Sequence, residues 1–148
     1  RNIGFILSAF PEAKIINTKR SAMATCWSIY KHYFSDQGNG WAYNQEDISK
    51  FYKLYKDLME FWHEKYPNRI YDISYEELTT NQEEETRNLL NYCELDWDEN
   101  CLNFHKNKRA VKTASSLQVR KKMYQGSSDA WREYEEFLQP LIKSLKSL

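Results

Sequence analysis

The sequence predicts an α/β fold in which two short parallel strands pack among six to seven helices. Two brief apolar stretches, Ala13–Lys19 and Arg69–Ser74, have the look of buried parallel strands, and the first runs directly into a helical pattern. Elsewhere apolar side chains recur at spacings of three and four, the signature of amphipathic helices. Four glycines and three prolines among 148 residues are too few for the turns of a many-stranded sheet, and an aromatic content of 16% argues for a packed core.

The chain opens on Ile3, Phe5, Ile6 and Leu7, already inside an apolar element. Pro11 then precedes Ala13–Lys19, centred on Ile15 and Ile16, which reads as the first strand. Ser21 follows as the cap of a helix running to about Phe34. The polar stretch 35–44, with Gly38 and Gly40, is a loop. Ile48, Phe51, Tyr52, Tyr55, Leu58, Met59 and Trp62 share one helical face, with Asn44 as cap and Pro67 just past the end. Arg69–Ser74 alternates apolar and polar residues and forms the second strand. Thr80-Asn81-Gln82-Glu83 is a capping box opening a helix that carries Leu89, Leu90 and Cys93. Asp98 starts a short helix with Cys101, Leu102 and Phe104, and Ser115–Tyr124 is a basic helix. A last helix extends from Asp129 to Leu145, restarting at Pro140.

Two strands make an incomplete sheet. The expectation is therefore the C-terminal half of a larger α/β domain, in keeping with a chain that starts at Arg1 without methionine. An uncovered sheet edge is also a surface that a second copy can pair with, giving a homodimer. No apolar stretch is long enough to span a bilayer and no secretory leader opens the chain, so the reading is a cytoplasmic protein without a membrane partner. Cys26, Cys93 and Cys101 lack C-x-x-C spacing, and the three histidines are scattered, so neither a disulfide framework nor a bound metal is expected.

Twenty-one basic and 21 acidic residues cancel, but they are segregated. Between Ala13 and Ser35 there is no acid, against Lys14, Lys19, Arg20 and Lys31. From Asn100 to Ser128 there is again none, against Lys106, Lys108, Arg109, Lys112, Arg120, Lys121 and Lys122. Two acid-free stretches so far apart either converge on one anion or form separate solvated faces. The junction Lys19-Arg20-Ser21 favours an anion, because the carboxyl end of a strand there meets the amino end of a helix. Arg20 offers a rigid fork for phosphate oxygens, and Ser28, two turns into the helix, can reach the same anion. The bland alternative pairs Arg20 with Glu12 and leaves Ser28 bonded to its own helix.

These residues resemble the sulfotransferases that use 3′-phosphoadenosine-5′-phosphosulfate, a P-loop-like α/β family. There a strand ends in Arg, and a Ser eight residues later joins it on the nucleotide's 3′-phosphate, as Arg20 and Ser28 stand here. The family's Asp-Pro-Arg-Asp between them is replaced by Ser21-Ala22-Met23-Ala24. Tyr71–Leu78 (YDISYEEL) is similar to the strand whose terminal Tyr, here Tyr75, lies beside the adenine. Leu95-Asp96-Trp97 and Cys101–Phe104 resemble the following segment in bacterial and tyrosylprotein-type members. Thr113, Ser115 and Arg120 resemble the part that wraps the nucleotide, and Tyr124-Gln125-Gly126-Ser127-Ser128 the loop that closes on the 3′-phosphate. Gln125 occupies the place of a family Arg, leaving Arg120, Lys121 or Lys122 to supply that cation.

The resemblance implies a partial sulfotransferase domain over residues 1–148 that lacks the N-terminal phosphosulfate-binding loop. It implies a nucleotide cosubstrate and a hydroxyl or amine acceptor, with no nucleic-acid partner and no metal. Two other classes compete: a helical protein-interaction module without nucleotide binding, suggested by the aromatic helices, and a nucleic-acid binder using the basic 106–122 stretch. Because the family's catalytic base belongs to the part not recognised here, no residue of this chain is assigned that role. The expected outcome is negligible sulfuryl transfer by the pure 148-residue chain in a donor-plus-acceptor assay; robust turnover would place the missing chemistry inside it.

Overall fold

The computed structural model describes residues 2–35, 38–107 and 120–147. It is α/β, with two parallel strands and six α-helices among the described residues. Strand β1 (Ile15–Lys19) pairs with β2 (Ile70–Ser74) in the register Ile15 opposite Ile70 through Lys19 opposite Ser74. A parallel pair needs a long crossover. Here it consists of α2 (Ala22–Tyr30), a 3₁₀ turn (Gly40–Tyr43) and α3 (Gln45–Lys65), while α1 (Ile3–Ala9) precedes β1.

Local chemistry explains where these helices begin. The Ser21 hydroxyl accepts the Ala24 N–H at 3.3 Å and so caps α2. The Asn44 side chain accepts the N–H groups of Glu46 (2.9 Å) and Asp47 (3.1 Å), and both acids favour the positive end of α3. α2 ends at Tyr30 rather than near Phe34, because the Tyr43 hydroxyl takes both backbone groups of Phe34, at 3.0 and 2.9 Å. Gly4 in α1 lies so close to α3 that a Cβ there would stand 2.9 Å from the Trp62 ring.

The core lies between α2, α3 and α6 (Gln139–Lys146), where Cys26, Ile48 and Leu141 are buried against Met23, Ile29, Tyr30, Trp41, Tyr52 and Leu145. Gln45 ties the C-terminal segment to the start of α3. Its amide donates to the Phe137 carbonyl (2.9 Å), and its carbonyl accepts the Leu141 N–H (3.2 Å). α4 (Tyr75–Thr80) and α5 (Gln82–Tyr92) follow β2. Tyr92 stacks on Tyr71 at 5.0 Å, and its hydroxyl lies 2.8 Å from the Arg69 carbonyl and 3.2 Å from that of Ile15, bridging the beginnings of both strands.

Several expected boundaries are corrected. Thr80 ends α4 instead of capping α5, because the Thr79 and Thr80 hydroxyls both donate back to the Glu76 carbonyl. The helix expected after Asp98 is two 3₁₀ turns, Glu99–Cys101, which Asp98 caps through the Asn100 N–H at 2.7 Å, and Phe104–Lys106. Residues 121–124 are not helical, and 115–119 of that expected helix lie outside the described residues. The last helix is divided as Pro140 suggests: Ala130–Leu138 is 3₁₀, and α6 begins beside the proline. Among the described residues no helix is long and apolar enough to cross a membrane.

Leu141 is fully buried where three helices meet, so Leu141→Ala is expected to cost about 2–5 kcal/mol of stability. Leu54→Ala, at an exposed site on α3, is expected to cost less than about 1 kcal/mol. Urea midpoints for the two variants check the difference.

Candidate anion-binding site

Parallel pairing in this register sets the first residue after each strand side by side. Arg20 follows β1 and Tyr75 follows β2, and the guanidinium lies 4.8 Å above the Tyr75 ring. A third segment arrives from the C-terminal region. Arg20 Nη2 donates to the Ser127 carbonyl (2.7 Å) and hydroxyl (3.1 Å), and Nε donates to the Ser128 hydroxyl (3.2 Å). The Tyr75 and Ser127 hydroxyls are 3.0 Å apart. Gly126 turns the chain at φ 90°, in the left-handed region where a side chain would strain the backbone.

These elements enclose a cavity of about 480 Å³. Arg20 and Tyr75 line its end nearest the sheet, Gly126 and Ser127 one wall, and α2 the other. The α2 wall is a single helical face, with Ala24, Trp27, Ser28 and Lys31 at spacings of three and four, and His32 beyond them. Trp27 is backed by Tyr134, 4.7 Å away between ring centres. No carboxylate lines this cavity among the described residues.

One carboxylate stands just outside it. Glu76 Oε1 accepts the Ser128 hydroxyl at 2.5 Å and the Ser21 N–H at 3.1 Å. Burial alone pushes the Glu76 carboxyl up. The hydrogen bonds from Ser128 and Ser21 and the nearby Arg20 charge outweigh that push and hold it below the ordinary glutamate range. Amide groups at the α2 N-terminus, expected from sequence to face an anion, are thus partly engaged: Ser21 N–H by Glu76, and Ala24 N–H by Ser21 itself.

Of the residues singled out from sequence, Arg20, Ser28, Tyr75, Gly126 and Ser127 line this one cavity. Gln125 does not; its amide donates to the Thr79 carbonyl at 3.3 Å. Arg120 is exposed and is not among the lining residues, nor are Lys121 and Lys122. Thr113 and Ser115 lie outside the described residues. Arg20 pairs with the serine loop, not with Glu12. Sequence reasoning assigned no site role to Trp27, Lys31 or Glu76, and it placed Ser128 in the closing loop without its partners. The first two were within reach, since they share the helical face of Ser28; the others depend on long-range contact.

The sulfotransferase family's sequence pattern matches residues 1–99, a stretch that contains Arg20, Ser28 and Tyr75, and the chain belongs to that family. An uncharacterized protein of Aquifex aeolicus (strain VF5) is 40% identical over 146 residues, which cover 97% of this chain. The chain spans 19% of that protein's length.

A glutamate held low in the folded protein stabilises it above the ordinary carboxyl range, and that contribution is lost as pH falls through the folded value. Between about pH 5 and pH 3, Glu76→Gln is therefore expected to flatten part of the fall in unfolding midpoint seen for the parent. An identical acid limb in the two proteins would contradict the arrangement around Glu76.

Proposed function

We propose that the chain forms the nucleotide-gripping part of a sulfotransferase that takes a sulfuryl group from 3′-phosphoadenosine-5′-phosphosulfate and passes it to a hydroxyl or amine acceptor. The observation that carries this reading is the meeting of Arg20, Ser28 and Tyr75 with Ser127, which is 107 residues beyond Arg20, around one cavity. The side chains present suit an anionic nucleotide. Arg20 and Lys31 supply positive charge, Ser28 and Ser127 supply hydroxyls, and the Tyr75 and Trp27 rings offer flat apolar faces for a base. The volume of about 480 Å³ is typical of small-ligand sites.

The bound nucleotide would supply the activated sulfuryl group. Arg20 and Ser28 would bind its 3′-phosphate, Tyr75 would border the adenine, and the 126–128 loop would shield the phosphate from water. Energy gained at these remote contacts orients the reacting end without touching it, which raises turnover rather than mere occupancy. Among the described lining residues, two cations and two hydroxyls lie beside the Tyr75 and Trp27 rings, which favours a nucleotide over the peptide site that the aromatic helices suggested. A nucleic-acid binder calls for an extended basic track instead.

Calorimetric titration with adenosine 3′,5′-bisphosphate and with 5′-AMP tests the proposal. The parent is expected to prefer the bisphosphate. Loss of a charge-assisted hydrogen bond, worth about 1.5–3 kcal/mol, should weaken bisphosphate binding by Arg20→Ala about 10- to 100-fold while 5′-AMP binding barely changes. Because Arg20 also holds the serine loop, Ser28→Ala is measured alongside and should shift the preference in the same direction. Equal affinity of the parent for both nucleotides would sink the assignment.

A further inference from the structure

We infer that Lys31 is the second cation of this cavity and grips the nucleotide's 3′-phosphate together with Arg20. The inference rests on the nucleotide reading above and names the residue that completes its charge balance. A phosphate monoester carries about −1.5 to −2 at neutral pH. Arg20 brings a single positive charge, already partly offset by Glu76, whose carboxylate lies close enough to feel it. One partly compensated guanidinium leaves such a dianion substantially unneutralised, and a phosphate removed from water needs its charge matched.

Lys31 is the other fixed cation among the described residues that line the cavity. It stands three residues after Ser28 and four after Trp27, so it projects from the helical face that walls the cavity. Arg20 lines the cavity from the end of β1 and Lys31 from one helical turn beyond Ser28. Lys31 forms no ion pair with an acid among the described residues; its ammonium rests 5.8 Å from the centre of the Trp27 ring. A weakly held ammonium on a flexible stem, facing an acid-free cavity, is free to swing to an arriving anion. Arg120, Lys121 and Lys122 do not line the cavity, and Gln125 faces Thr79, so the 120–125 stretch contributes no such charge there.

A merely structural lysine would complement the negative end of α2 and cover Trp27. The two roles separate in one experiment. Affinities for adenosine 3′,5′-bisphosphate and 5′-AMP are measured by calorimetry at several salt concentrations for the parent, Arg20→Ala, Lys31→Ala, Lys31→Arg and, as a cation remote from the cavity, Lys143→Ala. Lys31→Ala is expected to lower bisphosphate affinity about tenfold, with 5′-AMP within about twofold of the parent, and to reduce the salt dependence of bisphosphate binding. Lys31→Arg should restore most of the affinity, and Lys143→Ala should match the parent. If Lys31→Ala keeps the parent's preference while Arg20→Ala loses it, the inference falls and the nucleotide reading stands. If Lys31→Ala weakens both nucleotides equally, the lysine is structural and the inference also falls. A parent without preference for the bisphosphate overturns the nucleotide reading, and this inference with it.

Discussion

The parallel pairing of β1 with β2 is the constraint from which the site follows, because only side-by-side strands running the same way deliver Arg20 and Tyr75 to one place. That pairing is pinned by polar side chains as well as by backbone. The cross-strand partners Asn17 and Asp72 are joined by a hydrogen bond of 2.7 Å from the Asn17 amide, and the Tyr55 hydroxyl donates to Asn17 Oδ1 at 3.1 Å. Lys19 pairs with the same carboxylate, and His63 Nε2 lies 3.3 Å from it. Burial pushes the Asp72 carboxyl up, but the bonds from Lys19 and Asn17 win and hold it below the ordinary aspartate range. A slip of one residue would send each of these side chains to the opposite face and break the whole ladder.

The candidate anion site has a carboxylate just outside it, held by groups that flank the cavity. Glu76 engages Ser21 N–H at the start of α2 and, through Ser128, the loop from the C-terminal segment. An internal carboxylate thus does at the helix terminus what a ligand's phosphate does in many α/β folds. The groups that α2 presents to the cavity lie along its side, on the face of Ser28 and Lys31.

Both strands, the Asn44 cap and the break at Pro140 were legible in the sequence because each is decided by neighbours within a few residues. Features set by distant partners were not. The early end of α2 depends on a hydroxyl from Tyr43, and the path of the C-terminal segment on the Gln45 amide. The site divides in the same way. Arg20, Ser28, Tyr75, Gly126 and Ser127 could be named from strand ends, spacing and family resemblance, and these five share a cavity. Glu76 had no local signal, since its importance comes from Ser128, 52 residues away. Lys31 did have one, at i+3 from Ser28, but a lysine near a helix end carries little information until the wall opposite is known.

The serine loop sits on Arg20 through three hydrogen bonds from the guanidinium. A guanidinium held this way is preorganised: an incoming anion exchanges hydrogen bonds within a formed site and does not have to order a disordered segment, so the entropic penalty of loop closure falls on folding rather than on binding. The same coupling runs backwards. Because that loop is continuous with the segment anchored to α3 through Gln45, occupancy of the cavity and the docking of α6 become thermodynamically linked. Weakening the helical core more than a dozen residues downstream would then loosen the ligand, and a bound ligand would in turn clamp the C-terminal end of the chain against unfolding.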